Sequence, residues 1–168
     1  KVGETFKGWS DRQKIWDFST DRVTSDTVLY PVWESGMLNI TPAESGEGYA
    51  VSSNDGTTVN YGGDYSFTVT AADHYNADNM KVYANGILLS GSKNGKVYYY
   101  TVKNITANQT ITVTGVELDK HTVTYMVNDQ VYLTVQAEYN AYLSEPASPS
   151  KVGETFKGWS DRQKIWDF

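Results

Sequence analysis

The sequence predicts a mainly β protein, and three observations lead there. Short segments alternate apolar and polar residues with period two, as half-buried strands do. Gly, Asn, Asp and Ser cluster between those segments, where tight turns are needed. The third is a repeat: residues 1–18 and residues 151–168 both read KVGETFKGWSDRQKIWDF. The two copies are 150 residues apart (151 − 1). Eighteen consecutive identities imply a tandem array with a period near 150 residues, so we expect both ends to fall inside a repeating element.

Composition bounds the rest. A chain of 168 residues suits one domain or two small ones. The net charge of −6 and the 14% aromatic content argue against a nucleic-acid partner and against a disordered acidic tail. There is no cysteine, which excludes a disulfide framework, a zinc–thiolate site and a Cys nucleophile. No run approaches eighteen apolar residues, so no membrane insertion is expected.

Taken in order, residues 1–35 hold two or three strands rich in Trp. Residues 36–118 hold some seven strands, about the number an Ig-like β-sandwich needs. In SFTVTA, Phe67, Val69 and Ala71 face one way; in QTITVTGV, Ile111 and Val113 do. Asn85-Gly86 and Asn94-Gly95 mark hairpins, because a two-residue turn favours positive φ. Residues 119–168 open with a two-strand pattern in which Val123, Tyr125 and Val127 alternate with polar neighbours. A short helix is expected near Tyr139–Leu143, then a Pro-containing turn, EPASPS, then the second copy of the repeat.

Joined through the shared eighteen residues, the third part and the first form one unit of about 64 residues. Its anchors are Val123, Tyr125, Leu133, Val135, Phe6, Trp9, Trp16, Phe18, Leu29 and Trp33. This unit resembles the Listeria–Bacteroides repeat, also called the internalin B-repeat, with its P-x-x-P, G-x-x-F-x-G-W, W-D-F and L-Y-A-x-W elements. Pro146, Pro149, Gly153, Phe156, Gly158, Trp159, Trp166, Asp167 and Phe168 match, as do Gly3, Phe6, Gly8, Trp9, Trp16, Asp17, Phe18, Leu29, Tyr30 and Trp33. Glu4-Thr5 precedes Phe6 where the family often has an aromatic, and Pro31 stands where Ala is usual. The resemblance implies a β-grasp-like (α+β) fold, split here into halves at both termini, in bacterial proteins at the cell surface or cell wall. The middle part is similar in style to the Ig-like modules of bacterial adhesins.

No catalytic constellation is visible, and no enzyme activity, cofactor or resident metal is expected. His74 and His121 lack metal-like spacing. Asp73, Asn76 and Asp78 could hold calcium, without the spacing of an EF-hand loop. Lys81, Lys96 and Lys103 lie on candidate strands, where an internal Lys–Asn cross-link is conceivable. Trp9, Trp16 and Trp33 serve either as core anchors or as a sugar platform. Tyr98 and Tyr100 are the candidate ligand surface, because three consecutive tyrosines put rings on both faces of a strand.

Two functions are expected from these features. The first is a stalk, spacer or adhesion unit of a bacterial surface protein. The second is a carbohydrate-binding accessory module of a secreted or surface enzyme. Partners expected of the first are neighbouring repeats, a host protein or glycan, and other copies of the chain, with residues 1–34 of one completing the half-domain of the next by strand exchange.

Overall fold

The computed structural model describes residues 1–167, so the match at Phe168 lies outside the described residues. Fifteen strands succeed one another: β1 (Glu4–Ser10), β2 (Tyr30–Ser35), β3 (Met37–Thr41), β4 (Tyr49–Ser52), β5 (Thr58–Asn60), β6 (Tyr65–Ala71), β7 (Tyr75–Asn76), β8 (Lys81–Ala84), β9 (Ile87–Leu88), β10 (Ser92–Asn94), β11 (Val97–Val102), β12 (Gln109–Thr114), β13 (Glu117–Leu118), β14 (Lys120–Val127) and β15 (Gln130–Glu138). The chain divides into two compact units, Lys1–Ala72 with Ala77–Val116, and Asp73–Asn76 with Glu117 onward.

In the first unit, two sheets share one core. Their strand orders are β10-β11-β6-β4 and β5-β3-β12-β8-β9. The alternation read from SFTVTA is realised: Phe67, Val69 and Ala71 are buried while Ser66 and Thr70 are exposed. Phe67 and Val69 join Ile40, Val82, Ala84 and Ile111 from the other sheet in a single cluster. Burial on this pattern is the main driving force for the fold. β12 runs parallel to β3 and antiparallel to β8, so it ties the start of this region to its end.

Turn chemistry sets the hairpins. Asn85 and Gly86 have φ of 47° and 78°, and they join Ala84 to its partner Ile87. The Asn-Gly pair is used because both central residues of such a turn need positive φ. At Asn94-Gly95 the register differs by one residue. Asn94 pairs with Val97, and Gly95, at φ 60°, occupies the first central position.

A separate two-stranded ribbon, β1–β2, belongs to the same unit. Gly3 and Gly36 fasten it. The Gly36 amide donates to the Gly3 carbonyl at 2.7 Å, and the Tyr61 amide donates to the Gly36 carbonyl at 2.8 Å. Gly3 has φ of 73°, and a Cβ there would collide with the Tyr61 ring.

The second unit is built on the antiparallel hairpin β14–β15. Its turn is Asn128-Asp129, with φ of 50° and 61°, a two-residue turn made without glycine. β13 pairs with β7, and the His74 ring stacks on Tyr139 with centroids 3.7 Å apart.

The helix expected near Tyr139–Leu143 does not form, and no helix is present among the described residues. Tyr139 instead donates its amide to the Asp119 carbonyl at 2.7 Å, and Asn140 takes φ of 60°. A left-handed residue stops a helix, and a five-residue segment cannot repay nucleation. The α+β expectation is therefore corrected to mainly β.

Candidate interaction site: the two halves of the divided repeat

In the first copy the F-x-G-W element carries a bulge. In a regular strand, residues three apart face opposite sides. The β1–β2 register shifts between Phe6 and Gly8, which leaves Lys7 unpaired in the ladder and re-aims Gly8 and Trp9. Phe6 and Trp9 consequently meet edge-to-face, with centroids 5.8 Å apart, and Trp33 on β2 meets Phe6 at 5.4 Å. Gly8 has φ of 145°, open to glycine alone. Its missing side chain also admits Ile15, whose Cγ2 would lie 2.9 Å from a Cβ.

The second copy repeats this local form. Gly158 has φ of 134°, a Cβ there would meet Ile165 at 2.6 Å, and Phe156 meets Trp159 edge-to-face at 5.4 Å. The adjoining loop is also the same. Trp16 donates its amide to the Trp9 carbonyl at 2.7 Å, and Trp166 to the Trp159 carbonyl at 2.9 Å. Asp11 Oδ1 accepts the Gln13 and Lys14 amides at 2.9 and 3.0 Å, and Asp161 Oδ1 accepts those of Gln163 and Lys164 at the same distances. These amides hold both carboxyls below the usual carboxylate range, the Lys14 and Lys164 amides most strongly.

The surroundings differ. In the first unit, the strand of the repeat pairs along its length with β2, yet its apolar face stays open: Phe6 is 44% exposed, Trp9 41% and Trp33 38%. In the second unit, Trp159 is 8% exposed, with Tyr125 at 4.8 Å and Tyr132 at 5.5 Å between centroids. A bulge between Tyr125 and Met126 leaves Tyr132 as the extra residue of β15. Tyr132 also donates its hydroxyl to the Ala147 carbonyl at 3.1 Å, which fixes the Pro146–Pro149 segment. Among the described residues, 154–160 form no ladder; only isolated bridges, Lys151 with Glu154 and Ser160 with Ile165, are made there. Two buried polar atoms in this unit, Tyr125 Oη and Trp159 Nε1, have no hydrogen-bond partner among the described residues. A cavity of about 460 Å³ opens beside them, lined by Val123, Tyr125, Met126, Leu143, Trp159 and Trp166.

Each half therefore has what the other lacks. The first unit has the strand that completes the repeat; the second has the hairpin that covers its tryptophan. The model of the Listeria-Bacteroides repeat domain matches residues 1–32 and residues 121–168. Both ends of the chain carry Listeria–Bacteroides repeat sequence. The chain is also 26% identical, over its whole length, to a protein of Evansella cellulosilytica named "Putative membrane protein", and 25% identical to one from the same organism named "Putative Gly-rich membrane protein". It spans 24% and 19% of the lengths of these two relatives. No solved structure matches.

The tyrosine triplet sits differently from its expected place. Tyr100 is 7% exposed and stacks on Phe67, with centroids 5.5 Å apart; burial pushes its hydroxyl pKa up. Tyr98 is half-buried against the same core, with Lys93 Nζ 5.0 Å from its ring centroid. Tyr98 and Tyr100 pair with Val69 and Phe67, both buried, so the two rings share the inner face. The exposed ring of the triplet is Tyr99, and the expectation of a Tyr98–Tyr100 surface row is corrected accordingly. The three-tyrosine pattern revealed that both faces carry a ring but not which face was inward.

His121 lies edge-on to Tyr139 at 6.3 Å. Among the described residues, no group of three or more His, Asp or Glu is arranged to hold a metal ion. Lys81, Lys96 and Lys103 are all at the surface. No helix among the described residues is long and apolar enough to cross a membrane.

Proposed function

We propose that this chain is one period of a tandem array in a bacterial surface protein, where it acts as a spacer or adhesion module and carries out no catalysis. One observation carries the reading: the repeat family matches the two ends of the chain, and those ends share eighteen identical residues. Across that shared segment, hairpin β14–β15, the eighteen residues and the strand β2 come in one order, as a complete repeat. Residues 1–35, 36–118 and 119–168 then correspond to the end of one β-grasp-like repeat, an Ig-like sandwich and the start of the next repeat. The names of the two Evansella cellulosilytica relatives are in keeping with an extracellular, surface-attached parent. Modules that touch only their neighbours form a rod rather than a ball.

The carbohydrate-binding alternative loses Tyr100, which lies in the core, and keeps Trp9 and Trp33, which are 41% and 38% exposed. Chains of one, two and three periods test the spacer reading by small-angle scattering. The maximum dimension should rise by a constant step per period. Growth of the radius of gyration with about the 0.38 power of length, as in one compact globule, would overturn it.

A further inference from the structure

The two half-repeats have complementary defects, and a second copy of the chain is the occupant that fits both. The face of Phe6, Trp9 and Trp33 lies open on the first unit. The hairpin that covers the matching tryptophan in the second unit, through Tyr125 and Tyr132, is present in every copy. We infer that hairpin β14–β15 of one copy docks on the Phe6–Trp9–Trp33 face of another, releasing its own residues 151–167, so that isolated chains assemble head to tail.

Identity of sequence makes the exchange nearly even. Trp9 and Phe6 take the places of Trp159 and Phe156, and the surrounding residues are the same letters. The balance is tipped by the features that differ. Residues 154–160 make no ladder, whereas β1 is paired with β2 from Glu4↔Ser35 to Ser10↔Tyr30. Docking on the ribbon adds the Trp33 ring to the covered cluster, since Trp33 already meets Phe6. The β1–β2 ladder stays intact on this route. Exchange of β2 onto residues 154–160 would first have to break it, so hairpin transfer is the easier path. The contact is heterologous, because it joins different surfaces of the two copies, the hairpin of one and the ribbon of the other.

This association is independent of the spacer reading, because it is a property of isolated chains in solution. Sedimentation velocity on the full chain from about 1 µM to 1 mM tests it. The expected result is a mean mass that climbs with concentration. Trp9→Ala should weaken association by at least about thirtyfold, as loss of a central aromatic anchor does. Trp159→Ala should strengthen it, because it weakens only the intrachain competitor. Misfolding of a variant is controlled by mixing. Trp9→Ala keeps the hairpin and Tyr132→Ala keeps the open face, so the two, each monomeric alone, should form a pair of two chains and nothing larger. A mass of one chain throughout the range, a mixture that stays monomeric, or association lost in Trp159→Ala and kept in Trp9→Ala would each overturn the inference.

Discussion

Residues 1–18 and 151–168 place one sequence in two settings, and the comparison separates what eighteen residues encode from what they borrow. The positive φ of Gly8 and Gly158, the edge-to-face Phe–Trp contact, the Asp-anchored loop and the amide bond across it recur in both copies. They involve residues within the segment, so they travel with it. The strand does not travel. Glu4–Ser10 is a strand because Tyr30–Ser35 supplies a ladder, while residues 154–160 lack that partner and stay irregular. Burial behaves in the opposite way. Trp159 is covered by a hairpin, and Trp9 is not. Secondary structure and solvent exposure are thus set by different neighbours, and neither is a property of the segment.

The largest effect that would break this comparison is a pair of identical substitutions. Trp159→Ala removes a buried ring and should destabilise the second unit by about 3 kcal/mol. Trp9→Ala removes a ring that is 41% exposed and should cost the first unit roughly 1 kcal/mol at dilutions where the chain is monomeric. Hydrogen exchange at the β14–β15 and β1–β2 amides reads each unit separately. Equal losses would mean that the two tryptophans have the same environment after all.

A smaller difference is expected at the matching glycines. Gly3 and Gly153 have φ of 73° and 78°, so Ala costs about 1 kcal/mol of backbone strain at either. Only at Gly3 does the new methyl collide with Tyr61; at Gly153 nothing lies within 4 Å. Gly3→Ala should therefore lower the thermal midpoint more than Gly153→Ala does. Indistinguishable midpoints would show that the ribbon is not fastened at Gly3.

The smallest effect should be the same in both copies. Asp11 and Asp161 have folded pKa values below the ordinary one, so their loop hydrogen bonds stabilise the native state above about pH 4. That contribution is lost as the pH falls through the lowered values. The amide shifts of Gln13 and Gln163 in an acid titration should move together, both with midpoints below that of a free aspartate. Divergent midpoints would mean that the loop is not locally encoded.

Much of this is legible in the sequence. Alternation in SFTVTA and QTITVTGV placed Phe67, Val69 and Ile111 in a core, because period two leaves one face of a strand dry. Asn85-Gly86 announced its turn for a reason of local sterics. The duplication and the G-x-x-F-x-G-W spacing announced a divided repeat, and the family match falls on both ends. The sequence could not assign the inward face of Tyr98-Tyr99-Tyr100, since all three letters are alike and only pairing with Val69 and Phe67 chooses. Nor could it deny a helix at Tyr139–Leu143. The choice there was made by Asp119, which takes the Tyr139 amide, and by the left-handed Asn140. Local geometry within the repeat was fixed by letters close together in the chain. Which copy becomes a strand and which tryptophan is covered was decided by residues far away, because ladders and burial both need a partner that the segment does not contain.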